Sequence, residues 1–198
     1  MKKIEQIRNI CNCNKCYDDN TLNVNVTGKG NTNSKIMIID KYTTPEYDSN
    51  KLGTFISYDY YTKLFVKTIE ETLKTNMIDL YYTRCIKCIS IDDFDNIQKP
   101  KSKHYRNCRD ILLKEINIVN PDYILVLGSH PLKTIFSKGM LVNNCRNKIT
   151  YLFNNAKKYK IITTVHYDSF YHRNDNIQKF KDDINYLKKL MENNNELL

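Results

Sequence analysis

The sequence predicts a three-layer α/β/α sandwich built on a central, mostly parallel four-stranded sheet. Three observations predict it. Short apolar runs of strand length recur, stretches with helical apolar spacing separate them, and turn residues mark the junctions. Strands that alternate with helices cannot be joined by tight hairpins. They pair in parallel, and a parallel sheet must be covered on both faces.

The elements follow in order. Residues 17–33 (YDDNTLNVNVTGKGNTN) read as a polar connector with turn signals at Gly28 and Gly30. Ser34–Asp40 (SKIMIID) is the first buried strand. Tyr58–Thr75 is helical, with Tyr61, Leu64, Phe65, Ile69 and Leu73 on one face. Ile78–Thr83 is the second strand, and residues 90–104 form a charged loop. Tyr105–Val119 is a helix with Cys108, Ile111, Leu112, Ile116 and Val119 in register, ended by Asn120-Pro121. Tyr123–Leu127 (YILVL) is the clearest buried strand; Gly128 closes it and a short helix follows from Pro131. Lys160–Val165 is the fourth strand, and Ile177, Phe180, Ile184, Leu187 and Met191 mark a final helix. Ligands of such sheets sit at the carboxyl ends of the strands. Functional residues are therefore expected just after Ile39, Thr83, Leu127 and Val165.

Composition bounds the function. At 198 residues the chain fits one domain, residues 1–198, with 1–33 as an N-terminal segment and connector. No run approaches the roughly 18 apolar residues of a membrane span. The first residues (MKKIEQIR) lack an apolar signal segment. An intracellular place is expected, cytoplasmic or nucleoid, or viral and acting inside a host cell. With 31 Lys+Arg against 22 Asp+Glu the net charge is +9. That favours a polyanionic partner, DNA above all, with the Lys-, Asn- and Ile-rich composition of AT-rich coding as the competing explanation. A monomer is expected for the chain alone, with a protein partner in a replication, repair or transcription complex left open. Gly28-Lys29-Gly30 precedes the first strand instead of following it, which argues against a phosphate-cradling nucleotide site.

Seven cysteines in a reducing compartment favour metal or chemistry over disulfides. Cys13 and Cys16 form a C-x-x-C, and Cys88 and Cys108 adjoin a strand end and a helix start. Two local and two distant thiolates are what a tetrahedral metal or a cubic iron–sulfur cluster needs. The competing reading is that they pack as small hydrophobes.

At the strand ends the chain resembles a known family. Lys35–Ile39 (KIMII), Tyr81–Cys88 (YYTRCIKC), Pro121–Gly128 (PDYILVLG) and Thr163–His166 (TTVH) occur in the order and spacing of the iron–sulfur uracil-DNA glycosylases, family 4 of that superfamily. The resemblance runs from Cys13 to the final helix. It implies a uracil-DNA glycosylase-like fold and a DNA glycosylase that hydrolyses the N-glycosidic bond of uracil or another altered pyrimidine. The alternative is a catalytically inactive DNA-binding or base-reading subunit. It also implies that Cys13, Cys16, Cys88 and Cys108 hold a 4Fe-4S cluster, with a structural zinc as the alternative.

By the same resemblance His166 is the catalytic histidine, a donor for the leaving base, and Phe55 stacks on the flipped base. Phe170 or Tyr171 fills the vacated stack, while Arg173 and Arg146 contact the DNA backbone. Two departures stand out. A gapless match puts Lys41 at the family's acidic position; a one-residue slip puts Asp40 there, to support the water or balance the sugar's charge. Arg84 stands where the family reads the base edge with asparagine. Arginine only donates, so it binds carbonyl oxygens but cannot accept the ring N–H of uracil.

Overall fold

The computed structural model describes residues 2–16, 21–22, 26–43, 59–92, 94, 96–137 and 139–193. Helix α1 (Lys3–Cys11) is followed by β1 (Thr21–Leu22), β2 (Lys29–Gly30), β3 (Ile36–Tyr42) and α2 (Tyr60–Leu73). Next come β4 (Tyr81–Ile86), β5 (Ile89–Ser90), α3 (Ser102–Val119), β6 (Tyr123–Leu127) and α4 (Ser129–Phe136). The chain continues through α5 (Val142–Cys145), β7 (Ile149–Asn154), β8 (Lys157–Thr164), a 3₁₀ turn at Tyr167–Tyr171 and α6 (Asp175–Asn193).

The main sheet has the order β2-β4-β3-β6-β8-β7. Its four central strands β4, β3, β6 and β8 are parallel, as the sequence predicts. The expected count of four is corrected to six, because β2 and β7 add antiparallel edges. The β7–β8 hairpin escapes sequence reading for a physical reason. Its turn uses Asn155 and Ala156, both at positive φ (48° and 61°), where an Asn-Gly pair would have signalled it. The two-stranded ribbon β1–β5 stands apart from this sheet.

Alternation along the strands divides the core between two faces. Met37, Ile39, Ile124 and Val126 pack with Leu112 and Ile116 of α3, Leu132 of α4 and Ile7 of α1. Ile36, Ile38, Leu125 and Leu127 pack with Phe65 and Ile69 of α2 and Phe180, Ile184 and Leu187 of α6. Each fully buried aliphatic side chain contributes about 1.5–3 kcal/mol relative to exposure. That burial fixes the strand ends on which the polar residues sit.

Local signals set the helix limits. Asp59 caps α2 by accepting from the Thr62 amide at 2.9 Å, so the helix begins at Tyr60. Asn120 ends α3 in the left-handed region (φ 59°), and Pro121 cannot continue it. Helix α1 was not expected, yet Ile7 and Cys11 lie one turn apart and both are buried. Among the described residues, no helix is long and apolar enough to cross a membrane.

Candidate active site

Asp40 lies near the carboxyl end of β3, in register with Arg84 of β4, and is fully buried. An apolar strand running into a buried carboxylate requires partners, and five donors supply them. Oδ1 accepts from His166 Nε2 at 2.6 Å and from the Lys41 amide at 2.6 Å. Oδ2 accepts from Arg84 Nη1 at 2.6 Å, from Tyr167 Oη at 3.1 Å and from Tyr82 Oη. Burial opposes ionisation of Asp40, but the Arg84 guanidinium and the His166 and Tyr82 contacts outweigh it. Together they hold the carboxyl well below the usual carboxylate range. Burial and the Asp40 charge conversely push the Tyr82 and Tyr167 phenols up, despite the opposing guanidinium, so both remain donors.

His166 follows β8 and caps the 3₁₀ turn: its Nδ1 accepts from the Asp168 amide at 3.0 Å. An accepting Nδ1 leaves the proton on Nε2, which donates to Asp40. The ring stacks on Tyr167 with centroids 4.3 Å apart. Gly128 at the end of β6 gives it room. A Cβ there would stand 3.0 Å from the His166 Cβ, and φ is +78°. Lys41 reaches over the same edge to pair with the Asp168 carboxylate.

A second histidine at this edge, His130, was not foreseen. It sits two residues beyond Gly128, where its Nδ1 and the Tyr105 hydroxyl share a hydrogen bond and its ring meets Tyr42 edge-on at 5.1 Å. Burial lowers its pKa, and the neighbouring His166 and Lys41 act in the same direction. The expectation that ligands lie after Leu127 was the signal that could have found it.

The remaining expected residues are scattered. Phe55 lies outside the described residues. Phe170 is fully buried between Tyr61 and Phe180, a core position instead of a DNA wedge. Tyr171 is 58% exposed and packs edge-on against Tyr61 at 4.3 Å; Arg173 is exposed beside it. Arg146 turns away from the site. Its Nε donates to Asp183 at 2.7 Å and its Nη2 to the Lys179 carbonyl at 2.9 Å, so the guanidinium ties the α5–β7 turn to α6.

Cys16 and Cys108 are buried, and Cys13 and Cys88 half-buried. Burial pushes the Cys108 thiol up to about 12, and the neighbouring Cys88 and Cys16 push the same way, against a Lys87 amide donor. Cys13 in turn lies close enough to Cys11 and Cys108 to Cys11 for their charges to interact. Thiols crowded so that ionising one opposes the next are a donor set that a cation relieves. They are neighbours, not a closed set: among the described residues no three His, Cys, Asp or Glu side chains are gathered to hold a metal. Beneath them Lys87 Nζ donates to Glu115 at 2.6 Å, both essentially fully buried, and Glu115 also accepts from Tyr81 at 2.7 Å. Glu115 interrupts the apolar stripe of α3, a signal legible in the sequence.

The uracil DNA glycosylase superfamily model matches residues 27–189. The chain belongs to the uracil DNA glycosylase superfamily. Two curated relatives carry the name Type-4 uracil-DNA glycosylase. The one from Sulfurisphaera tokodaii is 28% identical over 140 residues, 70% of this chain and 60% of the relative. The one from Archaeoglobus fulgidus is 22% identical over 191 residues, 93% of this chain and 90% of the relative. The first alignment thus spans less than two thirds of that relative's length, while the second spans nearly all of both chains. The superfamily match covers all four parallel strands and the Asp40–Arg84–His166 centre.

Proposed function

We propose that this superfamily member is a DNA glycosylase that hydrolyses the N-glycosidic bond of uracil or another altered pyrimidine. The observation that carries the reading is the buried Asp40 carboxylate, which holds His166 and Arg84 together at the carboxyl edge of the sheet. The names of the two relatives support the same reaction class.

In this reading a flipped base enters over the strand ends, stacking on Phe55. With both Asp40 oxygens already engaged, the carboxylate acts as a positioning group and a fixed negative charge beneath the oxocarbenium-like sugar. Water activation would require one of its five donors to leave. His166 Nε2–H is the donor for the leaving base, exchanging Asp40 Oδ1 for the base oxygen as the pocket fills. Arg84 offers further N–H groups to carbonyl oxygens of the base. Tyr171 and Arg173, exposed on the turn after His166, meet the DNA. The Cys13, Cys16, Cys88 and Cys108 thiolates would hold a 4Fe-4S cluster, which would supply a structural tie between the segment after α1 and the β4–α3 body.

One observation favours a second reading, a base-reading subunit without excision. His166 and Asp40 satisfy each other, and the gapless match to the family, in place of the one-residue slip to Asp40, sets Lys41 at its acidic position. His166→Ala separates the two. For an enzyme, removing the donor lowers base excision by roughly 10²–10³-fold while DNA affinity holds. Equal loss of binding and turnover would make His166 structural and overturn the assignment.

A further inference from the structure

We infer that the open face of the β7–β8 hairpin is a second DNA-binding surface, which takes single-stranded DNA by stacking its bases on Tyr151 and Phe153. This surface lies outside the proposed excision site and does not depend on it. Residues 123–167 hold seven Lys and Arg and no Asp or Glu, which leaves 24 cations against 22 acids in the rest of the chain. Nearly the whole net charge of +9 therefore falls on the stretch that contains the hairpin. β7 is the last strand of the sheet, and its register sets Tyr151 opposite Lys160 and Phe153 opposite Lys158. Directly opposed residues share a face, so two rings and two lysines stand side by side on this one. Leu152 and Tyr159, the pair between them, turn the other way into the core shared with α3. Tyr151 is 40% exposed and Phe153 74% exposed. Lys158 Nζ lies 3.7 Å from the Tyr151 ring centroid and 5.8 Å from that of Phe153.

Each feature meets something a single strand offers. Unpaired bases present flat π faces that stack on aromatic rings whatever the sequence, and the phosphate at every step meets a lysine. A duplex hides those faces in its own stack, so exposed rings favour the single strand. Lysines at a sheet edge also deter pairing with another chain. That role does not call for exposed rings beside them, because apolar surface on an edge invites the pairing that lysines deter. A second copy of this chain would bring the same positive face against this one. The surface is also remote from Asp40 and His166. Phe153 lies opposite Lys158 near the amino end of β8, and His166 follows its carboxyl end. At about 3.3 Å per residue the two are roughly 25 Å apart, so a strand held here leaves the strand-end site free.

The test uses the full-length protein and a fluorescein-labelled oligodeoxythymidine of about 20 nucleotides, long enough for one site and free of altered bases. Anisotropy should show binding that the Tyr151→Ser, Phe153→Ser double variant weakens by roughly tenfold or more. Phe153→Trp, which keeps a stacking ring, should bind like the parent. Lys158→Gln should lower the slope of log affinity against log salt by about 0.7, the share of one phosphate. Ultraviolet crosslinking of the bound strand, read by peptide mass spectrometry, should place it on residues 149–160. Unchanged circular dichroism of each variant separates lost stacking from lost fold. A double variant that binds like the parent, or a crosslink confined to the strand-end residues around His166, overturns the inference. So does a dimer of the parent that the double variant dissolves without any oligonucleotide binding. Base release from a short uracil-containing duplex, measured on parent and double variant, should be equal; it reports on excision separately, so each reading can fail alone.

Discussion

Replacing Asp40 with asparagine keeps the shape of the side chain and removes its charge. The structure sets the consequence. An amide has one oxygen, so only one of the two donor groups can be served. If the oxygen faces Arg84, Tyr82 and Tyr167, the amide nitrogen faces the Lys41 amide and the His166 Nε2 proton. His166 cannot escape by moving its proton to Nδ1, because the Asp168 amide already donates there at 3.0 Å. Arg84 meanwhile keeps a buried charge, its side chain 10% exposed, with its carboxylate partner gone. Removing one member of a buried ion pair costs about 3–5 kcal/mol. For a chain of this size that lowers Tm by roughly 6–20 °C, at about 2–4 °C per kcal/mol. The assay is urea unfolding followed by circular dichroism, with the slope checked for constancy. Arg84→Met in the Asp40→Asn background should recover part of the loss, since the orphaned charge is then removed. An Asp40→Asn protein as stable as the parent would refute the claim that this carboxylate organises the site.

Other expectations are independent of that one. Gly128→Ala puts a methyl 3.0 Å from the His166 Cβ at a positive φ, so it should destabilise by about 1–3 kcal/mol and lower turnover through His166; unchanged kinetics would contradict the packing. Phe170→Ala should cost about 3–5 kcal/mol as a core truncation, whereas Tyr171→Ala should spare stability and weaken DNA binding; the reverse pattern would exchange their roles. Burial, with neighbouring positive charge, lowers the pKa of both His104 and His130. The unfolded chain therefore binds more protons than the fold in the window below their ordinary 6.5, and stability should fall as pH drops through it. Asp40, with its folded pKa depressed, contributes fully above about 3.9 and loses that contribution only in stronger acid. A flat denaturation midpoint across the histidine window would refute this. Anaerobically purified protein should carry iron and sulfide, lost in Cys108→Ser and retained in Cys145→Ser; equal content in both would remove the ligand assignment.

The layers of this fold were legible because continuous apolar strands and helical stripes have no other use. Tyr123–Leu127 and the Asn120-Pro121 stop are cases in point: all five strand residues are buried, and the left-handed Asn120 ends α3 where the proline demands. Edge elements were less legible. β7 exposes Tyr151 and Phe153 and turns through Asn155-Ala156, which carries no glycine to betray it. At the site, the strand-end rule pointed to Asp40, Arg84 and His166, which the structure brings together, but said nothing of their bonding. That five donors converge on one carboxylate depends on residues 127 positions apart, and no local pattern encodes such a meeting. Arg146 and Phe170 show the same limit from the other side. An arginine and a phenylalanine near a functional loop look alike in sequence whether they meet DNA or the core, and only burial against Asp183 and Phe180 separates the cases.

The central claim is excision, and a strand-nicking assay tests it most directly. Iron-loaded protein is given end-labelled oligonucleotides containing uracil, hydroxymethyluracil, hypoxanthine or only normal bases, followed by alkali. The account predicts cleavage at one altered pyrimidine, abolished in His166→Ala, with the preferred base revealing what Arg84 selects. No cleavage of any substrate by folded protein that still binds DNA would contradict it and leave a base-reading subunit.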